Sequence, residues 1–208
     1  MTDITPYWRT NLVRELKRKS IHITGLSVPI SILIFGKVYT AIFVALALVV
    51  ALALEAGRLR GRINLPAVRD HEQEKVAGYI YYILGSLVTV IVFRPMIAVA
   101  AMLMLSLGDA VSGLVGSVLV NANVRARNER WRFKPFPIVA SMFLACLAIG
   151  FLSSGITHLP WQVYLCGAVG ATVADSMALF VGNRGLDDNL TIPIFSGFMM
   201  SISLGFMV

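Results

Sequence analysis

Asp109 stands near the middle of an apolar run, 96–120, that is long enough to cross a membrane. A carboxylate at bilayer depth costs roughly 3 kcal/mol on insertion scales, so acids placed there face the interior of a helix bundle and mark a site. Gly108, Ser112 and Gly116 follow one another at four-residue spacing, which on a helix makes one smooth strip. Such a strip lets a neighbouring helix or a ligand approach the backbone. Glycines on the same helix permit a break through which water and ions reach the acid. The plainer role for Asp109 is a hydrogen bond between helices.

Six more apolar runs accompany this one: 21–35, interrupted by Pro29, then 38–56, 76–93, 137–156, 161–182 and 190–208. The chain of 208 residues is 57% hydrophobic and 14% charged, where a soluble domain carries about 25% charged residues. The expectation is an all-α, polytopic membrane bundle of about seven transmembrane helices. Residues 1–20 would form an amphipathic segment on the membrane surface and 21–208 a single transmembrane domain.

Seven spans make the loops alternate, and the charges follow that alternation. With the N-terminus in the cytoplasm, 16 of the 18 Lys and Arg residues fall on the cytoplasmic side, leaving Lys37 and Arg94 outside, as the positive-inside rule requires. The net charge of +7 is therefore topological, and a nucleic-acid partner is not expected. Cys146 and Cys166 both lie in apolar runs and no Cys/His cluster has metal spacing, so neither a zinc site nor a disulfide framework is expected. The first twenty residues are polar and basic, without the pattern of a cleavable leader. No internal repeat is visible, and a homodimer is left open.

Four constellations could carry chemistry on the cytoplasmic side. Asp109 and Asp175 are acids inside spans, and each could equally serve as an interhelical hydrogen-bonding group. Asp187-Asp188-Asn189 can hold Mg²⁺ through oxygen ligands or cap the last helix; both roles are compatible. The basic loop ending Arg130-Trp131-Arg132-Phe133-Lys134 suits a triphosphate, although most of its charges read as membrane anchors; Lys134, at the mouth of a span, is the exception. In Arg18-Lys19-Ser20-Ile21-His22, His22 could bind phosphate, orient a substrate hydroxyl or simply sit at the interface. Glu55 is a weaker candidate of the same kind. Neither a Walker A pattern nor a protein-kinase signature is present.

Taken in order, these stretches resemble the CTP-dependent polyprenol kinases, the dolichol kinase and phytol kinase family. Arg18-Lys19-Ser20-Ile21-His22 is similar to the family's Arg-Lys-x-x-His. Gly108-Asp109-Ala110-Val111-Ser112 with Gly116 is similar to its Gly-Asp-x-x-Ala…Gly segment. Lys134 stands where the family has the Lys of Lys-Ser-x-Glu-Gly, and Asp188-Asn189-Leu190-Thr191-Ile192-Pro193 is similar to its Asp-Asn-x-x-x-Pro. The chain departs from the pattern at Pro135 to Ile138, at Val120, where a second Gly is common, and at Asp175, where Glu is frequent.

The resemblance implies transfer of the γ-phosphoryl group of CTP to a long isoprenoid alcohol. Asp109 would bind Mg²⁺ or accept the substrate proton. Asp187, Asp188 and Asn189 would hold Mg²⁺-CTP, Lys134 and Arg132 would neutralise phosphates, and His22 and Asp175 would assist. Gly108, Ser112 and Gly116 would let the nucleotide close to the backbone. Two alternatives remain: a cytidylyltransferase making a CDP-lipid, and a small proton-coupled transporter or flippase using Asp109 and Asp175 as a relay.

Overall fold

The computed structural model describes residues 4–63, 75–119, 133–177, 180–181 and 184–207. In chain order, α1 (Trp8–Ile23) passes through a 3₁₀ turn, Thr24–Leu26, into α2 (Ser27–Leu59). Helix α3 (Gly78–Val92) is followed by α4 (Pro95–Leu103), a π-helical turn, Met104–Gly108, and α5 (Asp109–Val118). Then come α6 (Phe136–Thr157), α7 (Trp161–Ser176), a two-stranded antiparallel hairpin of β1 (Phe180–Val181) and β2 (Arg184–Gly185), and α8 (Asp188–Gly205).

Proline and backbone chemistry punctuate these elements. Pro95 and Pro137 sit in the first turns of α4 and α6, where a missing N–H costs no helical hydrogen bond. Pro160 caps the start of α7. His158 ends α6 in the left-handed conformation, φ 50°. Gly36 interrupts α2 at φ 80°, ψ 171°, a backbone state open to glycine and strained for other residues; α2 is thus two helical arms meeting at a joint.

The architecture is all-α apart from that hairpin, but the expectation of about seven spans is corrected. Among the described residues the helices join into six continuous rods, of which three are long and apolar enough to cross a membrane: Trp8–Leu59, Pro95–Val118 and Phe136–Thr157. These three suggest a multi-pass membrane protein. The first two apolar runs belong to one continuous stretch bent at Gly36. Helix α3, with 15 residues, and α7, with 16, reach only about 24 Å or less at 1.5 Å per residue, short of a hydrocarbon core of about 30 Å. Helix α8 begins on polar residues and carries Pro193 within it.

The fourth apolar run is the centre of the bundle. Ile97 to Met102 in α4 are each at most 1% exposed, and α4 packs against α2, α6 and α8. The Pro95–Val118 rod is mostly buried, whereas Trp8–Leu59 is mostly exposed. The outer rod thus turns Leu33, Ile34, Leu46 and Val49 outward, as lipid contact requires, while the inner rod packs against protein. Helices α7 and α8 share the most extensive contact. They approach so closely at Gly170 that an added Cβ would lie 2.6 Å from the Phe195 carbonyl oxygen.

Glu55 is a structural staple, which replaces its weaker candidacy as a substrate group. Its carboxylate accepts from Arg58 Nε (2.8 Å) and Nη2 (2.7 Å), from the Ala77 N–H (2.8 Å) and from the Tyr79 hydroxyl (2.7 Å). Arg58 Nη2 also donates to the Lys75 carbonyl at 2.6 Å. The end of α2 is thereby tied to the start of α3. Glu55→Ala leaves a buried guanidinium without its carboxylate, and the expected loss is about 3 kcal/mol of stability, read as a lower unfolding midpoint in detergent.

Candidate active site

Three acids from three helices converge. One carboxylate oxygen each from Asp109, Asp175 and Asp188 lies within 4.8 Å of the other two. Asp109 directly follows the π-helical turn inside the continuous Pro95–Val118 rod, whereas Asp188 stands at the true start of α8. Helix N-termini stabilise negative charge. Asp175 is near the end of α7 and its side chain is fully buried. The π turn is the local device here: it widens the helix just before Asp109, a distortion that recurs at functional sites.

Two lysines answer these charges. The Lys134 backbone N–H donates to the Ser176 carbonyl at 3.0 Å, which sets its side chain beside the end of α7. Its Nζ then lies 2.7 Å from Asp175 Oδ1 and 3.7 Å from Asp188 Oδ2. Lys19 Nζ, on α1, pairs with Asp109 Oδ2 and lies 3.9 Å from Glu15 Oε1. Helix α1 can come this near because Gly113 faces it: an added Cβ there would sit 2.7 Å from Lys19 Cε. Asp175 Oδ2 is buried with no hydrogen-bond partner among the described residues. Crowded carboxylates with an unused oxygen fit a hard divalent cation, which takes oxygen ligands.

The remaining candidates separate around this cluster. Asp187 caps α8, its Oδ1 accepting the Asn189 N–H at 3.0 Å. The Asn189 side chain donates to the Gly78 carbonyl at 3.3 Å, linking α8 to α3. Gly108 is occupied by helix packing, since an added Cβ would meet Cys146 Sγ and Met142 of α6. Ser112 is buried, with Oγ lacking a partner among the described residues. Gly116 lies in the last turn of α5, its carbonyl accepting the Leu119 N–H at 3.3 Å. His22 belongs to the last turn of α1, with its side chain outside what is described; Arg132 lies outside the described residues altogether.

Sequence reasoning missed Lys19 as a partner of Asp109. The available signal was Glu15 with Arg18 and Lys19, an i, i+3 and i+4 charge pattern along α1. It also missed a cavity of about 530 Å³ between α1, α2 and α3, lined at one end by Lys19, Asp109 and Asn189 and elsewhere by Val28, Val44 and Ile83.

Comparison with known proteins adds one relative. The chain is similar to the CTP-dependent diacylglycerol kinase 1 of Schizosaccharomyces pombe, 29% identical over 152 residues, covering 69% of this chain and 67% of that protein. The likeness is that of a distant homologue. No family model matches the chain, and no solved structure matches it.

Mn²⁺ titration followed by electron paramagnetic resonance tests the acidic cluster directly. Asp188→Asn is expected to weaken Mn²⁺ binding by about tenfold or more, at least the loss seen when a supporting group of a metal site is removed. Unchanged affinity would make the cluster an ion-pair group of the fold.

Proposed function

We propose that this chain is a CTP-dependent lipid kinase, moving the γ-phosphoryl group of CTP to the hydroxyl of a lipid alcohol. The observation that carries the reading is the meeting of Asp109, Asp175 and Asp188 with Lys19 and Lys134, beside a cavity with apolar walls. Phosphoryl transfer asks little covalent chemistry of a protein; it asks for positioning and charge neutralisation. The fission-yeast relative's name supplies the donor, and the sequence resemblance points to the same nucleotide.

Asp175 and Asp188 would hold Mg²⁺, whose role when bound is to neutralise phosphate charge. Lys134, beside Asp175 and Asp188, would meet phosphate oxygens. Lys19 pairs with Asp109 at the cavity lining. In the reaction the acceptor oxygen forms a bond to the γ-phosphorus while the bond from that phosphorus to the β-phosphate oxygen breaks. The hydroxyl proton passes to Asp109, and CDP leaves. The cytoplasmic orientation of this end belongs to the same proposal and rests on the basic residues gathered there, Lys19 and Lys134 among them.

Two acceptor classes suit the reading. The motifs favour a long isoprenoid alcohol, and the relative's name favours diacylglycerol. Each presents one hydroxyl at the membrane surface. A cytidylyltransferase would use the same nucleotide and metal, but would release pyrophosphate in place of CDP.

The test is transfer of label from γ-labelled CTP to a panel holding both lipid classes, with the nucleotide product identified. Labelled lipid phosphate and CDP are expected. Asp109→Asn should lower the rate by about 10²- to 10⁴-fold, the range of general-base losses. Lys134→Met should raise KM for CTP. Pyrophosphate as product, or full activity in Asp109→Asn, would overturn the reading.

A further inference from the structure

The cavity and the acidic cluster share Asp109 and are otherwise lined differently. Lys19, Asp109 and Asn189 close one end of the cavity; Asp175, Asp188 and Lys134 are not among its lining residues. Asp109 therefore belongs both to a cluster of acids and a lysine and to a chamber lined mostly by apolar and hydroxyl-bearing side chains. A triphosphate matches the first and is mismatched to the second.

The chamber has a floor and two lips. Val28, Thr40, Val44 and Ser86 form its buried floor. Thr24 and Ser27 at one edge, and Phe43 and Ala47 at the other, are exposed. Phe43 and Ala47 are one turn apart on α2, along the same outer rod that turns its apolar side chains outward. The opening thus faces the lipid side of the outer rod. From Gly78 to Ser86 along α3 the cavity runs about 12 Å. Its polar end offers a donor still unused: Arg18 Nε is buried and has no hydrogen-bond partner among the described residues.

Resting on the kinase reading above, we infer that this chamber is the acceptor site. The lipid alcohol enters sideways from the bilayer between the Thr24–Ser27 edge and the Phe43–Ala47 edge. Its hydroxyl goes to the Asp109 end and the first part of its chain lies on Val28 and Val44. The volume of about 530 Å³ lies within the range of about 300–1,000 Å³ for small-molecule sites. It takes the head and a limited length of chain, and the rest stays in the membrane. Phe43 and Ala47 are then the residues that set which acceptor girth is admitted.

Two measurements test this on the full chain in lipid nanodiscs. The first is photolabelling of the wild type with farnesol and dioctanoylglycerol analogues that carry a diazirine close to the hydroxyl, with labelled peptides mapped by mass spectrometry. Label is expected on 40–47 of α2 and 79–86 of α3. The second is Ala47→Trp, which fills the opening: KM for the lipid should rise by at least about tenfold, the cost of a steric misfit in a packed site, with KM for CTP unchanged. Label confined to the outer surface of α6, or an unchanged lipid KM in a folded Ala47→Trp, would overturn the chamber while leaving the kinase reading in place. A wild type that transfers no phosphate to any lipid overturns the kinase reading instead. The labelling pattern, which needs no turnover, then decides the chamber alone.

Discussion

Three carboxylates held within a few ångströms in a largely apolar surround repel one another, and the rest of the site follows from how that repulsion is met. Removed from water, such charges are tolerated only when paired and hydrogen-bonded. Lys134 answers Asp175 and Asp188, and Lys19 answers Asp109. Each pairing demands a piece of architecture. Lys134 reaches the acids because its backbone is hydrogen-bonded to the end of α7. Lys19 reaches Asp109 because α1 lies against the Cβ-free face of α5 at Gly113. The cluster thus fastens α1, α5, α7 and α8 together at one end of the bundle, while Glu55 fastens α2 to α3 beside it.

Much of the site could be read from residue types alone, because an acid in an apolar run has few reasons to be there. Asp109 and Asp175 stood out on that ground, and Asp188 and Lys134 through their place at the mouths of spans. The structure brings these four together. Lys19 was not legible in this role. It sits in a basic segment where every cation looks like a membrane anchor, and only the packing of α1 on α5 singles it out. Glu55 misled in the opposite direction: an acid at a span's end resembles a site residue until its four donors are seen.

The number of spans was overread for a related reason. A hydropathy run records that a segment avoids water, not what replaces the water. For α7 the replacement is protein, since it is largely enclosed by neighbouring helices. The joint at Gly36 was invisible as well, because a glycine among apolar residues carries no mark of its backbone angle until the fold sets it.

The π-helical turn ahead of Asp109 has a consequence for how this stretch can vary. Five residues, Met104 to Gly108, occupy the wide turn, and α5 takes its rotational phase from it. Dropping one residue would let the wide turn close into an ordinary α-turn, which needs one residue fewer to go round, so α5 would keep its rotational phase. Adding one residue to a turn already widened has no such outlet: it would swing α5 by about 100°, and Asp109 would point away from Asp175 and Asp188 even with every side chain chemically intact. Length is accordingly constrained in one direction here: 104–108 tolerates the loss of a residue better than the gain of one.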